Sequence, residues 1–441
     1  MGIIHKLGSF LQKKSIRAET LPDFEKIDVL GVSNQIGITT TNHKKSKDLS
    51  KYQLVEKGDF AYNPYRINVG SIGLVQNGIR GLVSPAYVVF STNNKKLLPD
   101  LLFDFLKSKE GLFQIGKYAR GTVRKALRFS DLCQIEISIP SLEIQQKITE
   151  KKIRIQPVAE KLKNEFTHQQ TLLKKLCQQV LQEAIQGKLT TDFRAQNPDI
   201  EPAGELLTRI RAEKEKLIKE KKIKKQKPLP PISEEEIPFE LPEGWVWCRL
   251  GELTYGFQYG TSSKSLEFGE IPVLRMGNIQ KGEICWDDLV YSIDEEEIEK
   301  FKLNEGDLLF NRTNSRELVG KTGLYRGDQQ SIYAGYLVRF HMAGKITPDY
   351  TNFVMNSALH STWCNQVKTD AIGQSNINAT KLSFFRFPLP PLSEQKAIVT
   401  KVEKLFSLCD QLEAQITTNQ THAEQLMQAV LKEAFSQSGE A

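Results

Sequence analysis

The chain contains an internal repeat, and this feature constrains the fold more than any other. When the sequence is shifted by about 250 residues against itself, identical residues recur in the same order. Identical pairs at this shift include Val69-Gly70 with Val319-Gly320, Pro140 with Pro390, Gln145 with Gln395, Leu176 with Leu426 and Val180 with Val430. The sequence therefore predicts two copies of one structural unit, arranged one after the other.

The first part of each unit is matched less regularly than the second part. Val29-Leu30 pairs with Val273-Leu274, and Gly58-Asp59 pairs with Gly306-Asp307, at shifts that differ by a few residues. Small insertions in loops on a constant scaffold are typical of a recognition domain, because loops tolerate change and carry specificity.

Each unit combines short β-rich segments with one long helix, which predicts an α+β fold. Gly, Pro and Asn separate the β-rich runs, and a proline signal precedes each helix: IPSLEIQQKI in the first copy and LPPLSEQKAI in the second. We predict globular domains at 1–140 and 241–390, helices within 141–190 and 391–441, and a charged helix with a proline-rich linker at 191–240.

The two helices show the 3,4 spacing of a coiled coil. Equivalent stripes on one chain pack most simply on each other, which predicts an antiparallel pair with pseudo-two-fold symmetry. The predicted seam comprises Leu162, Phe166, Gln169, Leu173, Leu176 and Val180 in the first helix and Leu412, Ile416, Asn419, Leu426 and Val430 in the second. Gln169 and Asn419 are either polar residues that fix the register or tolerated, partly exposed positions. Pro157 should kink or restart the first helix.

Composition excludes several classes of protein. No apolar run approaches the roughly 20 residues of a membrane helix, and the six cysteines and six histidines are scattered without a CxxC pair. These observations argue against a metal site or a disulfide framework and favour a cytoplasmic protein. The net charge of +7 permits a polyanion partner without requiring one.

The linker contains a basic run, Lys221–Lys227, after the charged stretch AGELLTRIRAEKEKLIKE. Its lysines could bind phosphates, or they could be the solvated end of a helix. The sequence alone leaves both interpretations open.

Several segments resemble one protein family over nearly the whole chain. These are ELLTRIRAEKEKLIKEKKIKKQKPLPP, PFELPEGWVWCRLGEL, FPLPPLSEQKAIVTKVEKLF and AFSQSGE, with AIQGKLT as the first-copy counterpart of the last. Together they resemble the specificity subunits of type I restriction–modification enzymes. The first unit departs from the pattern, because no LPEGW-like opening precedes Leu21 and IPSLEIQQKI lacks the Glu-Gln pair. A divergent or trimmed first copy is left open.

The resemblance implies a non-catalytic DNA-binding subunit. Each globular domain would recognise one half of a bipartite, asymmetric target in double-stranded DNA, and the helices would set the spacing of the half-sites and bind two modification (methyltransferase) subunits. It further implies that S-adenosylmethionine, ATP and Mg are bound by partner subunits, including the restriction (translocase-nuclease) subunits, and that this chain binds no cofactor.

Two motifs resemble catalytic motifs but lack residues that those motifs require. Gly320-Lys321-Thr322 resembles the end of a P-loop, but Ser315 stands where that motif needs glycine. Asn63-Pro64-Tyr65 resembles an amino-methyltransferase motif but lacks its second proline, and no glycine-rich cofactor loop precedes it. The sequence therefore predicts no enzyme activity for this chain alone.

One candidate DNA-binding loop follows the Gly-Asp turn of each unit. It is NPYRINVG at 63–70 and NRTNSRELVG at 311–320. Arg and Asn are suited to base edges and phosphates, so the candidates are Asn63, Arg66, Asn311, Arg312 and Arg316. A structural salt bridge is the alternative role for the two aligned arginines, Arg66 and Arg316.

A second candidate loop precedes each proline signal. The first copy supplies basic groups, Arg120, Arg124 and Lys125, and the second supplies amides and a hydroxyl, Gln374, Ser375, Asn376 and Asn378. Different chemistry in the two copies fits two different half-sites, although Asn-rich loops are often turns. The rival hypothesis is a coiled-coil scaffold whose globular domains bind protein. DNA binding should weaken steeply with salt, whereas scaffold binding should not.

Overall fold

Two long helices, Leu142–Ile185 and Leu392–Ser436, each contribute residues to both compact units of the protein. Unit 1 comprises the described residues of Met1–Phe166 and Thr418–Ala441, and unit 2 comprises Thr167–Thr417. The structure, a computed structural model, describes residues 4–34, 37–40, 48–76, 78–121 and 125–436, with the backbone alone for 430–436.

Unit 1 begins with short strands and continues with helices. Its strands are β1 Ile4–Lys6, β2 Leu11–Lys14, β3 Leu30–Ser33, β4 Gly37–Thr40, β5 Gln53–Val55, β6 Asp59–Tyr62, β7 Ile72–Leu74, β8 Gly81–Val83, β9 Val88–Thr92 and β10 Glu136–Ser138. Its helices are α1 Pro99–Lys107, α2 Lys109–Tyr118, α3 Phe129–Leu132, the first part of α4 Leu142–Ile185 and the end of α11 Leu392–Ser436.

Unit 2 follows the same plan with additional elements. Its helices are the end of α4, then α5 Thr191–Gln196, α6 Ala203–Lys219, α7 Glu295–Phe301, α8 Pro348–Met355, α9 Ala358–Val367, α10 Ala379–Ser383 and most of α11 Leu392–Ser436. Its strands are β11 Val246–Arg249, β12 Thr254–Tyr259, β13 Ile271–Leu274, β14 Ile279–Gln280, β15 Glu283–Ile284, β16 Val290–Ser292, β17 Leu308–Asn311, β18 Thr313–Asn314, β19 Thr322–Leu324, β20 Ile332–Tyr333, β21 Leu337–Met342, β22 Thr369–Ala371, β23 Gln374–Asn376 and β24 Arg386–Leu389.

The central sheets of the two units have the same strand order. In unit 1 it is β2-β9-β6-β7, and in unit 2 it is β12-β21-β17-β19, extended by β15 and β14. Phe60 pairs with Phe90 in unit 1 as Leu308 pairs with Phe340 in unit 2, and all four side chains are buried. The repeat predicted from the sequence is therefore a repeat of topology.

Each long helix is attached to its own globular domain by one buried glutamine. In unit 1 the amide of Gln145 accepts a hydrogen bond from Leu98 N at 2.9 Å and donates one to Pro140 O at 2.9 Å. In unit 2 Gln395 accepts one from Thr347 N at 3.0 Å and donates one to Pro390 O at 3.1 Å. These contacts explain why glutamine follows the proline signal in both copies.

The Glu-Gln pair of the second copy has a local structural reason. Glu394 is fully buried, and its carboxylate accepts hydrogen bonds from Trp245 Nε1 at 2.8 Å and Thr190 Oγ1 at 2.5 Å and pairs with Arg194. Ile144 occupies the equivalent position in the first copy. A copy without the tryptophan motif has no indole to bind such a carboxylate.

The first unit does have an opening strand, which the sequence analysis missed. β1 pairs with β10 as β11 pairs with β24. The buried residues that follow these strands make the same contact: Leu7 N donates to Ile135 O at 2.9 Å, and Leu250 N donates to Phe385 O at 2.9 Å. The first copy lacks the tryptophan motif but retains the strand that closes the domain.

Within unit 2 the end of α4 and the start of α11 run antiparallel. Cys177 is hydrogen-bonded to Cys409, while Thr190, beyond the end of α4, contacts Glu394. From Cys177 to Thr190 the residue number rises along the first segment, while that of the contacted residue falls from Cys409 to Glu394 along α11. Val180 and Leu181 of α4 and Ile398 and Val402 of α11 belong to one buried cluster.

The buried stripe of each long helix differs from the predicted seam. Val180 is buried and Phe166, Gln169, Leu173 and Ile416 are half-buried, whereas the side chains of Leu162, Leu176, Leu412, Asn419 and Leu426 are exposed. The seam prediction is wrong for these five exposed residues. In α11 the buried and half-buried positions still repeat every seven residues, at Val402, Cys409, Ile416 and Ala423 and at Phe406, Glu413, Gln420 and Met427. The predicted series Leu412, Asn419 and Leu426 therefore lies one residue too early. The side chain of Val430 lies outside the described residues.

The first helix does not restart at Pro157, which was one of the two predicted effects of this proline. α4 is a single helix from Leu142 to Ile185 with Pro157 inside it. Such a position lacks one backbone hydrogen bond. The missing bond does not end the helix.

Candidate DNA interface

The two candidate loops of unit 2 are joined by a small sheet. β18, from the first loop, pairs with β23, from the second, and β23 forms a hairpin with β22. One residue beyond β23, Ile377 N donates a hydrogen bond to Arg312 O at 2.9 Å. Loops separated by about 60 residues in sequence thus form one surface, with strand pairing that fixes their register.

The candidate loops of unit 1 are joined at the equivalent place. Leu127 N donates a hydrogen bond to Pro64 O at 3.0 Å, and Tyr62 Oη donates to Leu127 O at 3.1 Å. Leu127 and Ile377 precede the same proline signal, and Pro64 and Arg312 each follow the asparagine that opens the first loop. Both units therefore bring their two candidate loops together by the same backbone contact.

In unit 2 the joined loops form one side of a cleft of about 1170 Å³, here called the polar cleft. Its lining includes Arg312, Gln374 and Asn376 from the candidate loops and Arg275 and Ser262 from elsewhere in the unit. Guanidinium, amide and hydroxyl groups are the donors and acceptors that bind base edges and phosphates. The lining also includes the carboxylates of Asp287 and Asp288, so the cleft combines groups that can bind DNA with two acids.

Arg312 is held in a defined orientation at this cleft. Its guanidinium carbon lies 4.8 Å from the centroid of the Tyr259 ring, and Nη1 donates to Gly335 O at 3.4 Å. The buried Nε has no hydrogen-bond partner among the described residues. Stacking on the ring restricts the side chain while leaving donors available to an acceptor.

Arg316 is the most exposed of the candidate groups in the first loop of unit 2. Its side chain is 72% exposed and lies 3.5 Å from the carboxylate of Asp370. The pKa of Asp370 is lowered by a hydrogen bond from the Ser375 hydroxyl, at 2.6 Å, and by the nearby charge of Arg316. The ion pair joins the two loops, and at this exposure an incoming phosphate can compete for the guanidinium.

Two candidates of unit 2, Asn311 and Ser375, are buried, and a third, Asn378, caps a helix. Asn311 is fully buried and its amide has no hydrogen-bond partner among the described residues, so it cannot reach a base. Ser375 is buried against Asp370. Asn378 caps α10 by accepting a hydrogen bond from Lys381 N at 2.8 Å. The prediction of a direct DNA contact is therefore wrong for the buried Asn311 and Ser375, whereas Asn378 is exposed and its DNA contact stays a prediction.

In the first loop of unit 1, Asn63 organises the turn and Arg66 is exposed. The side-chain oxygen of Asn63 accepts a hydrogen bond from Tyr65 N at 3.0 Å, and its carbonyl accepts one from Arg66 N at 3.0 Å. The turn closes at Gly70, whose φ of 82° favours glycine. Arg66 is thus presented at a defined place.

The second loop of unit 1 is closed by a pair of backbone hydrogen bonds between Arg120 and Ala126, at 2.8 and 3.0 Å. The Arg120 side chain is 79% exposed and lies 3.2 Å from the carboxylate of Asp131. Lys125 is exposed. Arg124 lies outside the described residues.

Sequence reasoning missed the side of the polar cleft that comes from other segments. Arg275, whose guanidinium lies 3.0 Å from the Asp288 carboxylate, and Ser262 and Gln280 belong to none of the candidate loops. The run TSSKS at 261–265, small and polar directly after a strand, is the signal that could have found part of it. Nothing in the sequence indicates that β13 and β14 approach this run.

Among the described residues no cluster of His, Cys, Asp and Glu could hold a metal ion. In the same part of the chain, no helix is both long and apolar enough to cross a membrane.

Comparison with known proteins identifies a family for the repeated unit. A family model described as "Type I restriction modification DNA specificity domain" matches residues 6–187 and again residues 242–419. The chain belongs to this family. Each match begins near the opening strand of a unit and extends into or through its long helix, so the family domain corresponds to the repeated unit.

Individual members of the type I specificity family are similar over different lengths. The EcoAI specificity subunit of Escherichia coli is 39% identical over 259 residues, covering 55% of this chain and 41% of that protein. The EcoKI specificity subunit of Escherichia coli strain K12 is 27% identical over 361 residues, covering 80% of this chain and 67% of that protein. The match thus spans about two fifths of the EcoAI subunit.

A solved structure shares the family fold. One such structure is described as "Structural basis underlying complex assembly and conformational transition of the type I R-M system". A chain of it superimposes on this protein with a TM-score of 0.69 at 18% sequence identity. The superposition covers 98% of this chain and 97% of that chain. Because the identity is low, the likeness shows the fold alone.

Proposed function

We propose that this chain is the sequence-specific DNA-binding specificity subunit of a type I restriction–modification complex. The observation that carries the proposal is the backbone contact that joins two polar loops in each unit, Leu127 to Pro64 and Ile377 to Arg312. Two like surfaces with different side chains suit a bipartite target whose halves differ. The protein-scaffold alternative has no comparable support from the family match.

Each globular domain acts as one target recognition domain, at 1–140 and 241–390. In unit 2, Arg312, Gln374 and Asn376 line the polar cleft and face the base edges of the DNA. Arg316 contacts the DNA beside these three residues. In unit 1, Arg66, Arg120, Arg124 and Lys125 supply the corresponding contacts. Arginine pairs well with guanine, and Asn or Gln with adenine, so the two half-sites differ in base composition.

The helices bind two modification subunits in this proposal. On the part of the helices within unit 2, Leu172, Leu176, Leu408 and Leu412 are each about half exposed, between 47% and 51%. The leucines lie four residues apart in each helix and therefore on one face of it, and pairs of exposed leucines on helices suit an apolar partner surface.

Catalysis and its cofactors belong to the partners. The modification subunits bind S-adenosylmethionine, the restriction subunits bind ATP and Mg, and this chain contributes the DNA target alone. The cytoplasmic location suggested by the sequence stays a prediction.

Selection from a random DNA library tests the proposal directly. The full chain, mixed with its modification subunit, is used to capture duplexes over several rounds, and the captured pool is sequenced. Enrichment of two short blocks at a fixed separation is the expected result. A pool that stays random, with binding indifferent to salt, would identify a protein-binding scaffold instead.

A further inference from the structure

The basic run Lys221–Lys227 does not belong to a helix. α6 ends at Lys219, and the chain continues in an irregular path that includes Lys221 with a φ of 58°. Lys221 N donates to Ile218 O at 3.1 Å and Lys222 N donates to Leu217 O at 2.9 Å, so the helix-end interpretation holds for these two residues and not for the lysines from Lys224 onward.

One end of the run is attached to the body of unit 2 by a buried lysine. Lys214 is 9% exposed, and its ammonium donates to Gly251 O at 2.7 Å, to Glu252 O at 3.2 Å and to Gln226 Oε1 at 3.4 Å. Leu229 packs so closely against Gly251 that a Cβ there would lie 2.9 Å from the leucine side chain. The segment is thus fixed at Gln226 and Leu229.

The chain just beyond Leu229 is attached by a buried arginine. Arg249 is 5% exposed and donates to Pro230 O at 3.2 Å and Pro231 O at 3.1 Å, while its guanidinium pairs with Glu236 at 2.7 Å. The basic run is therefore part of the surface of unit 2 and does not behave as a free linker.

The lysines of this fixed segment point outward. Lys224, Lys225 and Lys227 are exposed, and none of them has an ion pair or side-chain hydrogen bond with any described residue. Lys222 pairs with Glu220 at 2.9 Å. Three exposed lysines within four residues, none of them in an ion pair with a described residue, make this segment locally basic, and such an arrangement suits a polyanion.

Beneath these lysines lies a second cleft of about 1110 Å³, here called the basic cleft. It is lined by Lys222, Lys224, Lys227, Arg339, Tyr255 and Thr380. Its one buried acid, Asp307, is already bound by Arg339 at 3.5 Å and by His341 at 3.0 Å. The acid therefore does not oppose an anion in the cleft.

The basic cleft adjoins the polar cleft along β12. Gln258 lines the basic cleft and Thr261, three residues on, lines the polar cleft. Three residues of extended chain span about 10 Å, and phosphates recur about every 3.4 Å along one strand of DNA. The nearest lining residues of the two clefts are therefore separated by about three phosphate spacings.

We propose that the segment Lys222–Lys227 and the basic cleft form a phosphate-binding extension of the DNA interface, which holds the backbone beside the half-site recognised by unit 2. The inference rests on the proposed function. Lys224, Lys225 and Lys227 supply affinity without base discrimination, because phosphates carry no sequence information.

The salt dependence of DNA binding measures how many phosphates these lysines bind. The full chain is titrated onto a fluorescein-labelled, mixed-sequence duplex between about 50 and 200 mM KCl, and the slope of log K against log [KCl] is compared. The test variant is Lys224→Gln/Lys225→Gln/Lys227→Gln. The matched control, Lys188→Gln/Lys345→Gln/Lys404→Gln, removes the same charge from exposed lysines of unit 2.

The test variant should have a slope shallower by up to about 2.7, or about 0.9 for each phosphate that the protein no longer binds. The control should keep the wild-type slope, and Lys224→Arg/Lys225→Arg/Lys227→Arg should restore it. Unchanged circular dichroism would establish that the exposed substitutions leave the fold intact. A slope equal to that of the control would overturn the inference.

Failure of the inference is distinguishable from failure of the proposed function. If wild-type binding is insensitive to salt, the chain does not bind DNA through phosphates and the proposed function fails with it. If wild-type binding is steep in salt while the test variant matches the control, only the role of the basic segment is wrong.

Discussion

The guanidinium of Arg312 lies over the ring of Tyr259, 4.8 Å from its centroid, at the edge of the polar cleft. The hydroxyl of the same tyrosine accepts a hydrogen bond from Ala379 N at 3.0 Å. Tyr259 therefore orients an arginine from the first candidate loop and also binds the helix that follows the second.

Substitution of Tyr259 should weaken DNA binding through Arg312. A cation–π contact contributes about 0.5–2 kcal/mol, so Tyr259→Leu should weaken binding to the unit 2 half-site roughly 2- to 30-fold. Tyr259→Phe keeps the ring and is the matched control. Equal affinities for Tyr259→Leu and the wild type, measured by fluorescence anisotropy, would show that the stacked geometry does not matter for binding.

Arg316→Ala should weaken recognition of one half-site only. A well-placed arginine–base or arginine–phosphate contact contributes about 1–3 kcal/mol, or about a 5- to 150-fold change in affinity. Duplexes with one or the other half scrambled separate the effects, and Arg66→Ala should affect the opposite half. An equal decrease in affinity at both halves in either variant would disprove the division of recognition between the units.

Gln395→Met should destabilise unit 2. The change leaves Thr347 N and Pro390 O without the buried amide that binds them, at a cost of about 2–4 kcal/mol. Urea denaturation of the full chain measures it, with Gln411→Met on the exposed face of α11 as the control. The control should change stability by less than about 0.5 kcal/mol. Similar midpoints for the two variants would contradict the proposed role of this side chain in attaching the helix.

Stability should depend on pH through Lys214. Burial lowers the pKa of its ammonium to about 8, with Glu252 opposing the shift. The unfolded chain therefore binds more protons than the folded chain between pH 8 and the ordinary lysine value of about 10.4, and the free energy of unfolding should rise with pH across that window.

Lys214→Met should remove this contribution, whereas Lys219→Met, at an exposed neighbouring position, should retain it. Urea midpoints of the wild type and both variants at pH 8 and pH 9.5 measure the difference. A gap between Lys214→Met and the wild type that stays constant with pH would mean that this lysine titrates normally.

The repeat and the α+β class could be predicted because identical residues at a fixed shift require a common scaffold. The hydrogen bond that joins the two loops of unit 2 could not be predicted. It connects the backbone atoms of Ile377 and Arg312, and backbone atoms carry no residue-specific signal in the sequence. Residue type alone also could not predict which of the candidate asparagines is buried and which is exposed. Asn311 in the core, Asn376 at the cleft and Asn378 at a helix cap are the same residue type in three environments.

Other differences have equally local causes. The leucines predicted in the helix seam, such as Leu176 and Leu412, are exposed because the next residues, Cys177 and Glu413, lie in the buried stripe of their helices. The opening strand of unit 1 was missed because the motif that marks it in unit 2 contains Trp245, whose partner Glu394 has no counterpart in the first copy.

Methylation mapping tests the central claim most directly. DNA from cells that carry this chain with a modification subunit is sequenced with a long-read method that detects methylated adenine, and cells without the chain are the control. The account predicts methylation at one bipartite motif with a fixed gap, which disappears when the chain is deleted and is altered in one half by Arg316→Ala. Methylation that is identical with and without the chain would contradict it.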